Sequence, residues 1–146
     1  MNNREEQKST TTSYTLGDDT PIKIDTGTAA TVSDGDYTSG SIYFLNDTAD
    51  VDQAVGDFSV DGVVVVSSGG SDDDGDNKTI ASGESISVNG TVIGTVDAVR
   101  GNNGQNASDL QISFNNAATA ANISTFLQNL YYAEAATATE PGDRSY

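Results

Sequence analysis

The stretch SISVNGTVIGTV, residues 85–96, constrains the fold of this chain more than any other. Two runs of strand-favouring residues, Ser85–Val88 and Thr91–Val96, flank the dipeptide Asn89-Gly90. Asn-Gly is the pair that best accommodates the positive φ angles of a two-residue hairpin turn. The sequence therefore predicts an antiparallel β-hairpin here, and with it a fold that contains antiparallel sheet.

Further short strands are predicted on both sides of this hairpin, because strand-favouring residues recur between turn-forming Gly, Asn, Asp and Ser. In Leu110–Phe114 apolar and polar residues alternate, which is typical of a strand with one buried face. Phe58–Val66 predicts a strand or a bent pair of strands, with a hairpin or bulge at Asp61-Gly62. The other predicted strands are Thr10–Leu16, Pro21–Asp25, Ala29–Val32, Ser41–Leu45 and Tyr131–Ala133.

One segment has helical periodicity instead. Its apolar residues recur at i, i+3, i+4 and i+7: Ile123, Phe126, Leu127 and Leu130. Between Ala117 and Leu130 we expect a helix of about ten residues, with Asn116 or Thr119 as its N-cap. Short strands with regular turns and one helix predict a mainly β fold, an antiparallel β-sandwich with one short crossover helix.

Charge and composition exclude several classes of function. The chain has 22 Asp and Glu against 6 Lys and Arg, a formal net charge of −16, which repels nucleic acid and anionic lipid. No apolar run approaches the roughly 18 residues that a membrane helix needs. His, Cys and Trp are absent, which leaves carboxylate chemistry without an indole platform for a sugar. We expect no catalytic residues, no nucleic-acid partner and no membrane insertion.

Acidic loops are candidate metal sites, because calcium takes roughly six to eight oxygen ligands from flexible turns. The loop SDDDGDNKT, residues 71–79, offers Asp72, Asp73, Asp74, Asp76 and Asn77. An EF-hand is excluded, since its final Glu would fall on Gly83 or Ser85. The loop predicts a looser calcium site with Glu84 as an outlying ligand, or else a solvated acidic loop.

Three stretches together resemble one family. They are IDTGTAATVSDGDYTSGSIYF at 24–44, SISVNGTVIGTV at 85–96, and DLQISFNNAATAANISTFLQNLYYAEAATATEPGDRSY at 109–146. They resemble the cadherin-like repeats found in tandem in large bacterial surface and calcium-dependent adhesion proteins. The resemblance implies an Ig/cadherin-like β-sandwich, extracellular or at the cell surface, that binds calcium and works mechanically or adhesively.

The resemblance also implies a metal site at a domain junction. Asp34 and Asp36, in the turn SDGD, match the acidic pair near the end of the family's domain. We expect calcium here to stiffen the junction to a neighbouring unit, with Asp18 and Asp19 of the linker as further ligands.

The chain departs from the family in the order of its strands. In the repeats, the segment matching Gly142–Tyr146 continues through a full strand into an Asp-rich linker. Here TTSYTLGDD, residues 11–19, has that character but precedes the repeat. The predicted organisation is a flexible tail at 1–9, a donor-like strand and linker at 10–19, and a cadherin-like domain at 20–146 that lacks its last strand.

We expect the missing strand to come from another copy of the chain. Backbone hydrogen bonds at an open sheet edge supply affinity, and alternate side chains such as Tyr14 and Leu16 supply fit. A head-to-tail contact of this kind does not close, so it generates a filament. The predicted donor strand is Thr11, Thr12, Ser13, Tyr14, Thr15 and Leu16.

Three alternatives stay open from the sequence. Residues 10–19 fold back as the first strand of their own domain. The chain is a monomeric calcium-binding adhesin or spacer module that binds a cell-surface glycan or protein through its loops. Or the charge is an adaptation to high salt and involves no metal.

Overall fold

The computed structural model of the chain describes residues 21–26, 28–44, 56–60, 64–67, 80, 82–97 and 109–134. Within these residues the fold is mainly β, with two antiparallel sheets and one helix, as the sequence predicts. In chain order the elements are β1 (Ile22–Lys23), β2 (Ser41–Phe44), β3 (Gly56–Val60), β4 (Val64–Ser67), β5 (Ser85–Val88), β6 (Thr91–Val96), β7 (Leu110–Phe114), α1 (Ala120–Gln128) and β8 (Leu130–Glu134). The strand orders are β1-β8-β3 and β2-β7-β6-β5-β4.

The hairpin predicted at 85–96 is confirmed. Strands β5 and β6 pair antiparallel on either side of Asn89 and Gly90, whose φ angles of 50° and 80° are those of a turn with two left-handed residues. The register shifts by one residue within the pair, and such a bulge increases the local twist.

Two strands, β3 and β4, flank Asp61-Gly62, as expected of a bent pair, but they do not pair with each other as a hairpin would. Residues 61–63 themselves lie outside the described residues. Strand β3 pairs with β8, whereas β4 pairs with β5 in the other sheet. The chain therefore passes from one sheet to the other between Val60 and Val64, both of which are buried. An apolar run interrupted by Asp-Gly has the same sequence pattern whether its two halves pair as a hairpin or enter different sheets, because local sequence does not specify the partner of a strand.

Ala29–Val32, predicted as a strand, belongs to neither sheet. It lies along α1: the Val32 N–H donates to Ser124 Oγ at 2.9 Å, and Gln128 Nε2 donates to the Ala30 carbonyl at 2.7 Å. Helix side chains thus satisfy backbone groups that a neighbouring strand would otherwise satisfy. Ser124 and Gln128 are about one helical turn apart, so the segment runs antiparallel to α1.

Helix α1 is capped by Thr119, whose side chain accepts a hydrogen bond from the Asn122 N–H at 3.2 Å. Of the two predicted caps, Thr119 is therefore correct and Asn116 is not. The helix ends at Gln128, and Leu130, predicted as the last residue of the helical stripe, begins β8 instead.

Both sheets and the helix contribute to one hydrophobic core. Phe126 of α1 is fully buried and meets the ring of Phe44 edge to face, with centroids 6.5 Å apart. Other core residues come from β3, β4, β5, β6, β7 and β8: Val60, Val66, Ile86, Val88, Ile93, Val96, Leu110, Ile112 and Tyr132. Two sheets that share a core in this way are consistent with a β-sandwich.

Strand register defines two ends of the molecule. The turn end holds the Asn89-Gly90 turn, the start of β2 and the last residue of β7. Because only residues 61–63 separate β3 from β4, the end of β3 and the start of β8 also lie there. The opposite loop end holds Phe44, Gly56, Ser67, Ser85, Val96, Leu110 and Glu134.

Candidate functional site

Among the described residues, one margin of the three-stranded sheet is paired only in part; we call it the β8 edge, the side of Leu130–Glu134 that faces away from β3. Strand β3 pairs with all five residues of β8. Strand β1 pairs only with Tyr131 and Tyr132, and one further hydrogen bond joins the Ile24 N–H to the Leu130 carbonyl at 3.0 Å. Among the described residues, no strand continues this pairing alongside the last two residues of β8.

The short strand β1 enters from the loop end, antiparallel to β8. Since Ile24 donates to Leu130, antiparallel alternation makes Ile22 and Tyr132 the next hydrogen-bonded pair. A backbone N–H at position 21 would point away from β8, but Pro21 has no backbone N–H. Pro21 therefore blunts the outer side of β1.

The turn SDGD and the residues after it form a second feature, which we call the acidic turn, residues 33–40. The Thr38 N–H donates to Asp36 Oδ1 at 2.9 Å, and the Tyr37 hydroxyl donates to the Ser33 carbonyl. The Gly40 N–H donates to the Tyr37 carbonyl at 2.8 Å across Ser39, whose φ of 64° suits the third position of a type II turn.

Hydrogen bonds from Thr38, first from its backbone N–H and then from its hydroxyl, hold the pKa of the Asp36 carboxyl below its ordinary value. Such bonds favour the ionised form. Sequence reasoning did not identify Thr38 as part of the site, although Asp-x-Thr is the signature of a side chain that bonds the backbone two residues on.

The acidic turn lies at the turn end of the molecule. Before it, Val32 is held by Ser124 of α1; after it, the Gly40 carbonyl accepts from the Phe114 N–H at 2.8 Å. Asp34 and Asp36 are both exposed. Two carboxylates fall short of the roughly six ligands of a calcium site, and within the described ranges no cluster of three or more metal-binding side chains occurs.

Glu84 is in a different environment from the one expected of an outlying ligand. Its side chain is 1% exposed, and its carbonyl accepts from the Val96 N–H at 2.8 Å at the start of β5. Carboxylates are rarely so buried unless they have polar partners. Sequence reasoning placed Glu84 at the rim of the acidic loop, whereas the structure encloses it.

Other predicted site residues lie outside the described residues, and their placement stays a prediction. They are the donor strand Thr11, Thr12, Ser13, Tyr14, Thr15 and Leu16, the linker ligands Asp18 and Asp19, and the loop ligands Asp72, Asp73, Asp74, Asp76 and Asn77.

Comparisons with protein-family models, with curated proteins and with solved structures found no match to this chain. The resemblance to cadherin-like repeats therefore stays a prediction from the residues quoted above. In the part of the chain that the structure describes, no helix has the length and apolar character that crossing a membrane requires.

Proposed function

We propose that this chain is an extracellular structural protein, the subunit of a filament joined head to tail by β-strand exchange. The observation that carries the proposal is the β8 edge, where the chain's own β1 pairs with two residues of a five-residue strand. Unpaired strand edges recruit strands from other chains. Residues 11–16 of a second copy would extend the pairing along β8 and complete the sheet.

Exchange requires the acceptor's β1 to release Tyr131 and Tyr132. That step breaks a two-residue pairing and is offset by a longer one, because each strand residue added forms backbone hydrogen bonds and cross-strand contacts. The acceptor's next segment stays attached through Ser124 and Gln128, so releasing β1 does not detach the chain from α1.

The direction of the strands supports calcium binding at the junction. A donor antiparallel to β8 enters at the loop end and leaves at the turn end, where Asp34 and Asp36 lie. Its Asp18 and Asp19 would then stand beside the acceptor's acidic turn, whereas each chain's own Pro21 is at its loop end. Four carboxylates from two copies approach the ligand set that calcium needs.

The sandwich would be of the Ig/cadherin-like type. In that type two sheets pack face to face and the final strand completes one of them beside its neighbour. The passage from β7 through α1 to β8, which joins the two sheets, and the partial pairing of the β8 edge among the described residues support this assignment. Enzymatic activity forms no part of the proposal.

Negative-stain microscopy of the purified chain with calcium tests strand exchange. We expect filaments from the full chain and none after deletion of residues 1–19. Tyr14→Asp places a charge among side chains that would face the acceptor's core, so it should abolish the filaments, whereas Thr15→Asp, on the alternate face, should retain them. Filaments that persist after the deletion would rule out exchange through this arm.

A second candidate is a monomeric calcium-binding adhesin or spacer module that binds a glycan or protein through its loops. It is favoured by the loop end, where the residues that flank segments 45–55, 68–79 and 98–108 come together. Loops gathered at one end of a rigid scaffold commonly carry binding sites. This candidate predicts single particles in calcium and heat release on calorimetric titration with calcium.

A further inference from the structure

The outer face of the five-stranded sheet carries a row of Ser and Thr residues that crosses four of its strands. Strand register aligns Ser41, Ser113, Thr95 and Ser85. The Ser41 and Ser113 hydroxyl oxygens are 3.4 Å apart. We call the outward positions of this sheet the hydroxyl face. No local pattern in the sequence reveals the row, because its members come from four separate strands.

The exposed large apolar side chains of the described residues all belong to this face. Tyr43 and Val65 are each 51% exposed and Val92 is 42% exposed. Tyr43 lies in the edge strand β2, while Val65 and Val92 lie opposite Ser87 on either side of it. Single exposed apolar residues are ordinary, but these three share one face of one sheet.

The face is almost free of charge. Its positions in the described strands are Ser, Thr, Tyr, Val and Gln, and two described carboxylates lie next to them: Asp97, just beyond the end of β6, and Asp109, just before β7. Two copies of a chain with net charge −16 repel each other least when they approach through the surfaces that carry the fewest carboxylates. A hydroxyl group both donates and accepts hydrogen bonds, so a row of hydroxyls is complementary to a copy of itself.

We propose that the hydroxyl face binds the hydroxyl face of a second copy of this chain. Five strands about 4.8 Å apart and about four residues long give a surface of roughly 300 Å² per copy. A stable interface buries about 800 Å² per partner, so one such contact is weak. The bundling of filaments rests on the proposed function. In such a filament the contact repeats along the axis, and many weak contacts acting together hold neighbouring filaments side by side.

Disulfide trapping tests the contact directly, because the chain contains no cysteine. Thr95 is exposed in β6, the central strand, and therefore lies close to the two-fold axis of a face-to-face pair. Thr95→Cys is oxidised with copper phenanthroline in 1 M NaCl, where charge repulsion is screened within about 3 Å. Asn116 is exposed and outside the face. The rate at which Asn116→Cys forms dimers therefore gives the rate expected from random collisions between copies.

We expect Thr95→Cys to form dimers about tenfold faster than Asn116→Cys, since the contact raises the local thiol concentration. Adding Val65→Asp places like charges in the contact and should return the rate to that of the control. Equal rates for the two cysteine variants, or a rate that Val65→Asp leaves unchanged, would overturn the proposal.

Deleting residues 1–19 from Thr95→Cys separates this inference from the filament. We expect trapping to slow, because the repeated contacts of the filament are lost, but to stay faster than in Asn116→Cys while filaments disappear. If the full chain forms no filaments but trapping occurs, the proposed function is wrong and the face-to-face contact stands. If filaments form and trapping stays at the control rate, strand exchange stands and the face-to-face contact is wrong.

Discussion

Asp36 shows how a single residue sets its own ionisation through local geometry. Its carboxylate accepts hydrogen bonds from Thr38 only two residues away. These bonds exist in the folded chain and lower the pKa of Asp36 from its ordinary value of 3.8. Its stabilising contribution is therefore present above the unfolded pKa and is lost as the pH falls through the folded pKa.

We expect NMR titration of the side-chain carboxyl carbons to give Asp36 a midpoint below 3.8. Thr38→Val removes the hydroxyl bond but keeps the backbone bond, so the midpoint should rise part of the way. Ser33→Ala is the control, because Tyr37 bonds the Ser33 backbone carbonyl and the midpoint should stay where it is. A midpoint that Thr38→Val leaves unmoved would show that the hydroxyl has no role.

At the scale of elements, α1 holds the chain between β1 and β2 through side chains and not through a sheet. Ser124 is the clearest case, since its hydroxyl accepts from the Val32 N–H and donates to the Ala120 carbonyl at 2.7 Å. The hydroxyl of the neighbouring Thr125 donates within the helix, to the Ala121 carbonyl at 2.9 Å. Comparing substitutions at Ser124 and Thr125 therefore separates the effect of the hydrogen bond to Val32 from the effect of a hydroxyl bond within the helix.

Ser124→Ala should lower the free energy of unfolding by about 1–2 kcal/mol, because it leaves a half-buried backbone N–H without its acceptor. Thr125→Ala should change that free energy by less than about 0.5 kcal/mol. Urea unfolding followed by circular dichroism measures both. Equal effects would mean that the segment 29–32 does not depend on α1.

At the scale of the whole molecule, the two ends of the fold determine which carboxylates meet. The acidic turn lies at the turn end, while the chain enters β1 from the loop end. The proposed junction site therefore needs two copies. A ligand that binds only the assembled state stabilises that state by mass action, so its effect disappears when assembly is prevented.

In the full chain, replacing Asp34 and Asp36 with Asn should reduce the rise in melting temperature that calcium produces, and calorimetry measures this rise. In the chain lacking residues 1–19 the same replacements should leave the calcium response unchanged, because the linker ligands are absent. An equal reduction in both chains would place the calcium ligands within one copy and contradict a shared site.

Sequence determined the features of this protein that depend on neighbouring residues. The Asn89-Gly90 hairpin and strand β7 follow from backbone preferences and side-chain periodicity, which act over a few positions. For the helix cap the same preferences left two candidates, Asn116 and Thr119. The acidic pair Asp34 and Asp36 was identified through the resemblance to cadherin-like repeats, and its role as a metal site stays a prediction. The mainly β fold with one helix follows from the same local signals.

Tertiary structure alone decided which segments lie side by side. The sheet change between β3 and β4, the docking of Ala29–Val32 on α1, the burial of Glu84 and the hydroxyl row each join residues far apart in the chain. Such contacts depend on how the side chains of both sheets pack together, and the local sequence around a residue does not specify which distant residue it will contact. Local preference thus fixes the elements, and burial of one common core fixes their arrangement.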